Sequence, residues 1–126
     1  MGRPIRILLA DDHPALRESL ARVLEREESL EVVGEASDGR MAVDLARELR
    51  PDVIVMDVQM PVLDGIEATR RIALAQPGTR VIGYTLNPSG NLAEAMRRAG
   101  AASCLGKNEP VAALIRVIRA SRPGEV

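Results

Sequence analysis

Apolar residues along this chain fall into two recurring patterns, short unbroken runs and stretches spaced three and four apart, and the two alternate. The run IRILLA at Ile5–Ala10 predicts a buried strand, and Leu16, Leu20, Val23 and Leu24 in PALRESLARVLER then recur at helical spacing. EVVGEA (31–36) repeats the strand pattern. It is followed by a helical stripe of Met41, Leu45 and Leu49 that Ala42 and Ala46 widen, with Asp38-Gly39 punctuating the turn. Asp52 to Met56 form the third strand, with Val53, Ile54, Val55 and Met56 its unbroken apolar run. After it a helix is expected to begin near Asp64-Gly65, to carry Ile66, Thr69 and Ile72 on one side, and to stop at Pro77-Gly78. A fourth strand at 81–84 precedes Leu92, Met96 and Ala99, where Pro88, Ser89 and Gly90 weaken the start of the helix. A short fifth strand at 103–105 leads into Val111, Leu114, Ile115 and Ile118, on a helix starting at or near Pro110.

Five strands alternating strictly with five helices over short connections require an α/β fold with a parallel sheet and helices on both faces. Each right-handed crossover returns the chain to the same strand direction. Strands 1, 3 and 4 are the most continuously apolar and belong inside. Strand 2 carries Glu31 and Glu35 and strand 5 is short, so both suit edges, which predicts a five-stranded sheet of order 2-1-3-4-5, the flavodoxin-like (βα)5 arrangement. Residues 1–122 read as one domain and 123–126 as a tail, with the closing RPGEV frayed or cut from something longer.

Composition narrows the function. The chain of 126 residues needs no staples to fold, and its single cysteine, Cys104, has no internal partner. With no signal-like or membrane-length apolar segment, a cytoplasmic location is expected and membrane contact is not. A formal net charge of −1 gives no general attraction to nucleic acid, and Tyr84 is the one aromatic residue, so base stacking has no platform.

Chemistry concentrates where the strands end. In an open α/β sheet, ligands bind outside the carboxyl ends of the strands where their order reverses, here between strands 1 and 3. Asp11 and Asp12 close strand 1 and Asp57 closes strand 3. Two carboxylates ~4 Å apart repel by about 4 kcal/mol at an effective dielectric near 20, which calls for a proton or a cation, and hard oxygen ligands suit Mg²⁺. Thr85 adds a hydroxyl after strand 4 and Lys107 a cation after strand 5. Carboxylate nucleophile, divalent cation, hydroxyl and lysine together suit phosphoryl transfer onto Asp57.

These residues resemble the receiver domains of two-component response regulators, from ILLADDHP through VIVMDVQMPVLDG and VIGYT to AGAASCLGK. The resemblance implies that Asp57 is the phosphoacceptor and that Asp12 ligates Mg²⁺. It implies further that Asp11 acts through water, that the Gln59 backbone carbonyl completes the protein ligands, and that Thr85 and Lys107 are the switch hydroxyl and the phosphoryl-binding lysine. It also implies a histidine kinase or phosphotransfer protein as donor, and self-catalysed phosphorylation and dephosphorylation as the extent of any enzymatic activity. The oligomeric state stays open, a phosphorylation-dependent dimer included. DDHP and VIG-x-T look like the receivers that precede helix-turn-helix output domains or end hybrid histidine kinases; A-M-R-x-A-G-A and L-x-K-x-x-P lean towards the latter.

Two positions depart from the family pattern: Cys104 stands where an aromatic switch residue is usual, and Asn108, not proline, follows the lysine. Bulky Leu86 after Thr85 narrows the expected access. A haloacid-dehalogenase-type phosphatase also uses an aspartyl nucleophile, but it needs an acid two residues later, where this chain has Gln59. The other alternative is a receiver-like interaction module that binds partners without phosphorylation. His13, the only histidine, cannot build a multi-imidazole site and reads as packing at a helix start. Cys104 reads as a small buried hydrophobe, Arg70, Arg71, Arg97 and Arg98 as solvated helix faces, and Asp64-Gly65 as a turn and helix start.

Overall fold

In the computed structural model, residues 2–88 and 90–121 are described. The elements run β1 (Ile5–Ala10), α1 (Pro14–Glu25), β2 (Leu30–Ala36), α2 (Gly39–Leu49), β3 (Val53–Met56), α3 (Gly65–Ala75), β4 (Arg80–Thr85), α4 (Asn91–Ala99), β5 (Ser103–Gly106) and α5 (Val111–Ala120). All strand pairs are parallel and the sheet order is β2-β1-β3-β4-β5, as the edge acids predict. The tail at 123–126 lies outside the described residues.

Period-2 alternation sends the central strands' side chains into two cores. One holds Leu8, Ile54, Met56 and Val81 against Ala42 and Ala46 of α2, Ala68 and Ile72 of α3, and Met96 of α4. The other holds Ile7, Leu9, Val55 and Ile82 against Ala21 and Leu24 of α1 and Leu114 and Ile118 of α5. All four residues of β3 are buried, which accounts for its lack of polar side chains.

Three stripes differ from the sequence expectation, one of them on α4, where Leu92 is 37% exposed and Ala93, Met96 and Ala99 are buried. Leu16 is 55% exposed and Met41 is 41% exposed, so α1 packs through Ala21 and Leu24, and α2 through Ala42 and Ala46. Small side chains bring these helices close to the sheet, and the larger residues at the periphery of each stripe are left outside. Asp38 does more than mark a turn: its carboxylate accepts the Met41 backbone N–H and caps α2, as Asp64 accepts that of Glu67 and caps α3.

At the amino ends of the strands, buried Asp52 fastens β1 to β3. Its carboxylate accepts Arg3 Nη1 and Nη2 at 2.8 and 2.9 Å and the Arg6 backbone N–H at 2.9 Å. Burial pushes this carboxyl up, but the Arg3 and Arg6 hydrogen bonds outweigh burial and hold it below its ordinary range.

Candidate functional site

Two of the acids and the lysine are placed by continuations of the strand ladders. Asp11 N donates to Ala36 O, Asp57 N to Ala10 O and Lys107 N to Thr85 O, so each functional residue leaves its strand held by the neighbouring one. Gly65 sets the far wall: a Cβ there would lie 1.9 Å from the Asp57 carbonyl oxygen, so only glycine lets α3 start against the Asp57 backbone.

The side chains then converge. Lys107 Nζ lies 2.6 Å from Asp11 Oδ2 and 3.3 Å from Asp57 Oδ2. Asp11, Asp12, His13 and Asp57 each place one ligand atom within 4.8 Å of the others. Asp57, Gln59, Thr85 and Lys107 line, with His13 and Leu86, an open pocket of about 60 Å³ at the strand ends. The six expected site residues thus gather at one place, and Leu86, 70% exposed, stands at the pocket's wall without closing it.

Electrostatics separate the two buried acids. Burial pushes the Asp57 carboxyl up and Asp11 adds to this, which Lys107 and a backbone hydrogen bond from Gln59 only partly offset. Asp11 is also pushed up by burial, yet the closer Lys107, the His13 backbone N–H and the His13 ring together hold it below the ordinary range. Lys107 is lowered by burial and raised more by its two carboxylates, so it stays a cation.

The donor set fits a hard divalent cation. Three carboxylates and one ammonium sum to −3 + 1 = −2, the charge such an ion would balance. Asp12 Oδ1 is shut off from solvent yet accepts no hydrogen bond among the described residues, leaving a buried lone pair to be satisfied.

Sequence reasoning missed two residues. His13 is not passive packing: its Nδ1 lies 3.0 Å from Asp11 Oδ1 and 3.2 Å from Asp12 Oδ1. Arg17 donates through Nη1 to the Asp11 carbonyl and through Nε to Glu35, clamping the β1 exit against β2. Its position in α1 carries no sequence signal beyond that of a surface arginine. Cys104 is buried as expected, its thiol pushed up by burial.

Comparison with known proteins agrees with this geometry. The chain is 44% identical over 121 residues to the transcriptional regulatory protein LiaR of Bacillus subtilis, covering 96% of this chain and 57% of that protein. It is 38% identical over 115 residues to the response regulator GacA of Pseudomonas aeruginosa, covering 91% and 54%. It therefore spans about half the length of these curated relatives. The crystal structure of the response regulator domain of Thermotoga maritima CheB matches with a TM-score of 0.88 at 34% identity, over 94% of this chain and 96% of that one. The response regulator receiver domain profile matches residues 7–119, and the chain belongs to that family.

Proposed function

We propose that this chain is a phosphoacceptor and conformational switch, taking a phosphoryl group on Asp57 from a histidine kinase or phosphotransfer protein in the cytoplasm. The observation that carries the reading is the position of Asp57: 6% exposed, at the end of a fully buried strand, with a lysine ammonium 3.3 Å from its Oδ2. In this reaction an Asp57 oxygen attacks the donor's phosphorus, the P–N bond to the donor imidazole breaks, and a P–O bond to Asp57 forms. Lys107 holds a phosphoryl oxygen by point charge and the Thr85 hydroxyl donates to another. Asp12 and Asp57, with Asp11 through water and the Gln59 carbonyl, would hold Mg²⁺, which supplies neutralisation of the transferring charge.

Residues 1–122 form the receiver unit in this reading, and the segment makes no direct contact with nucleic acid. Incubation with acetyl phosphate and Mg²⁺ should add one phosphoryl mass, and Asp57→Asn should add none. Undiminished labelling of the mutant would sink the assignment. A second reading, constitutive partner binding without phosphorylation, draws on Cys104, since a thiol cannot replace the usual ring. Absence of labelling in the wild-type chain would favour it.

A further inference from the structure

His13 stands at the entrance of α1 with its ring turned towards the strand-end acids and Nδ1 within hydrogen-bond distance of Asp11 Oδ1. It is the N-cap residue of α1, yet its side chain makes no capping hydrogen bond, and the side chain is 58% exposed. Its Nδ1 instead sits between two carboxylate oxygens, 3.0 Å from Asp11 Oδ1 and 3.2 Å from Asp12 Oδ1. Ligands bound at ~2.1 Å in an octahedron are separated along each edge by roughly 3.0 Å, so the imidazole nitrogen, 3.2 Å from Asp12 Oδ1, stands near the spacing of a ligand adjacent to that oxygen on one ion. One of those two oxygens, Asp12 Oδ1, is the enclosed atom that accepts no hydrogen bond among the described residues.

We propose that His13 is a nitrogen ligand of this metal site, so that the site prefers divalent transition ions such as Mn²⁺, Co²⁺ and Ni²⁺ to Mg²⁺. The inference rests on the strand-end acids being a metal site, as in the function proposed above. Mg²⁺ takes oxygen ligands and binds imidazole poorly, whereas affinity for imidazole rises from Mn²⁺ towards Ni²⁺. On binding, the neutral ring keeps its proton on Nε2 and presents the Nδ1 lone pair to the ion. Asp11 Oδ1 also accepts the His13 backbone N–H at 2.9 Å, a bond that does not draw on the ring nitrogen.

The test uses the intact chain, in which His13 is the one histidine, so that any imidazole coupling has a single source. Pulsed electron paramagnetic resonance of the Mn²⁺-loaded protein should show ¹⁴N coupling that disappears in His13→Phe, a variant that keeps a ring without a donor. Calorimetric titration should show Ni²⁺ affinity falling roughly tenfold or more in His13→Phe, because losing a direct ligand costs at least as much as losing an outer-sphere partner. Mg²⁺ affinity should stay within about twofold, as expected for an ion held by oxygen. Bound Mn²⁺ without nitrogen coupling, or an unchanged ratio of Ni²⁺ to Mg²⁺ affinity, would overturn the proposal and leave Asp57 phosphorylation untouched. Failure to bind any divalent ion would overturn both this proposal and the metal part of the proposed function.

Discussion

Lys107 Nζ is 2.6 Å from Asp11 Oδ2 and 3.3 Å from Asp57 Oδ2, and that difference helps leave Asp57 the more strained acid. Its carboxyl is pushed up first by burial and then by Asp11, so the ionised form at neutral pH works against folding. Asp57→Asn should therefore melt higher than wild type at pH 7 in chelator, by roughly 3–6 °C for each kcal/mol relieved; a lower midpoint would show that Lys107 overcompensates. A second strained residue is Val62, which has φ 69° at the centre of a turn in which Leu63 N donates to Pro61 O at 2.7 Å. A β-branched residue there costs roughly 1–3 kcal/mol, more than the ~0.4–1 kcal/mol of chain entropy that glycine adds to the unfolded state. Val62 is 80% exposed, so no packing is lost, and Val62→Gly should gain about 1 kcal/mol, seen as a higher urea midpoint at unchanged slope. At this scale the acids were legible because carboxylates ending apolar runs are anomalous on sight. His13 was not, because an imidazole at a helix start looks the same in sequence whether it packs or points at acids.

Between elements, the segment joining β4 to α4 links the site to a helix surface. Gly83 and Cys104 face α4 together: a Cβ on Gly83 would lie 2.9 Å from Cys104 Sγ and 3.1 Å from Met96 Cε. Tyr84 belongs to the opposite core, beside Leu20 and Leu105, so it cannot take over the role of a ring at position 104. Helix α4 is preceded at its N-cap by Gly90, with φ 87° and no side-chain cap. Activation is therefore expected to reorder this segment, and hydrogen exchange with and without beryllofluoride should change protection within residues 86–98; a response confined to 103–107 would refute it. Asp52 supplies the opposite kind of link, a fixed one between β1 and β3. Because its folded pKa lies below the ordinary 3.8, its contribution is present above that value and lost as pH falls through the folded one. Asp52→Asn should thus be less stable than wild type at pH 6, with the gap closing below about pH 3.8 in melts across pH. Strands were legible from run length alone. The helix faces were only partly so, since Leu16 and Met41 match the helical period while the close packing is made by Ala21, Ala42 and Ala46.

Across the whole molecule, the topology itself concentrates charge. Parallel strands all end on one side, and the reversal of order at β1 and β3 brings Asp11, Asp12 and Asp57 together from distant parts of the sequence. Sheet order could be read from the acids on β2 and the brevity of β5, because edges tolerate what the interior does not. The placement of Arg17 and His13 could not, because it depends on how α1 leaves β1. The assembled site carries a formal −2 at neutral pH with Lys107 included, so folding without a cation gathers repulsion that the unfolded chain escapes. A divalent ion that binds only the folded state should therefore stabilise the molecule, by about 2.7 kcal/mol when its concentration is 100 times its dissociation constant. Melting followed by circular dichroism should shift upward as Mg²⁺ is added, and the shift should shrink sharply in Asp12→Ala, which removes the enclosed Oδ1 that accepts no hydrogen bond. The substitution also lowers the repulsion, so the apo form of Asp12→Ala should melt no lower than wild type in chelator. An equal Mg²⁺ shift in the two proteins would place the ion elsewhere on the molecule.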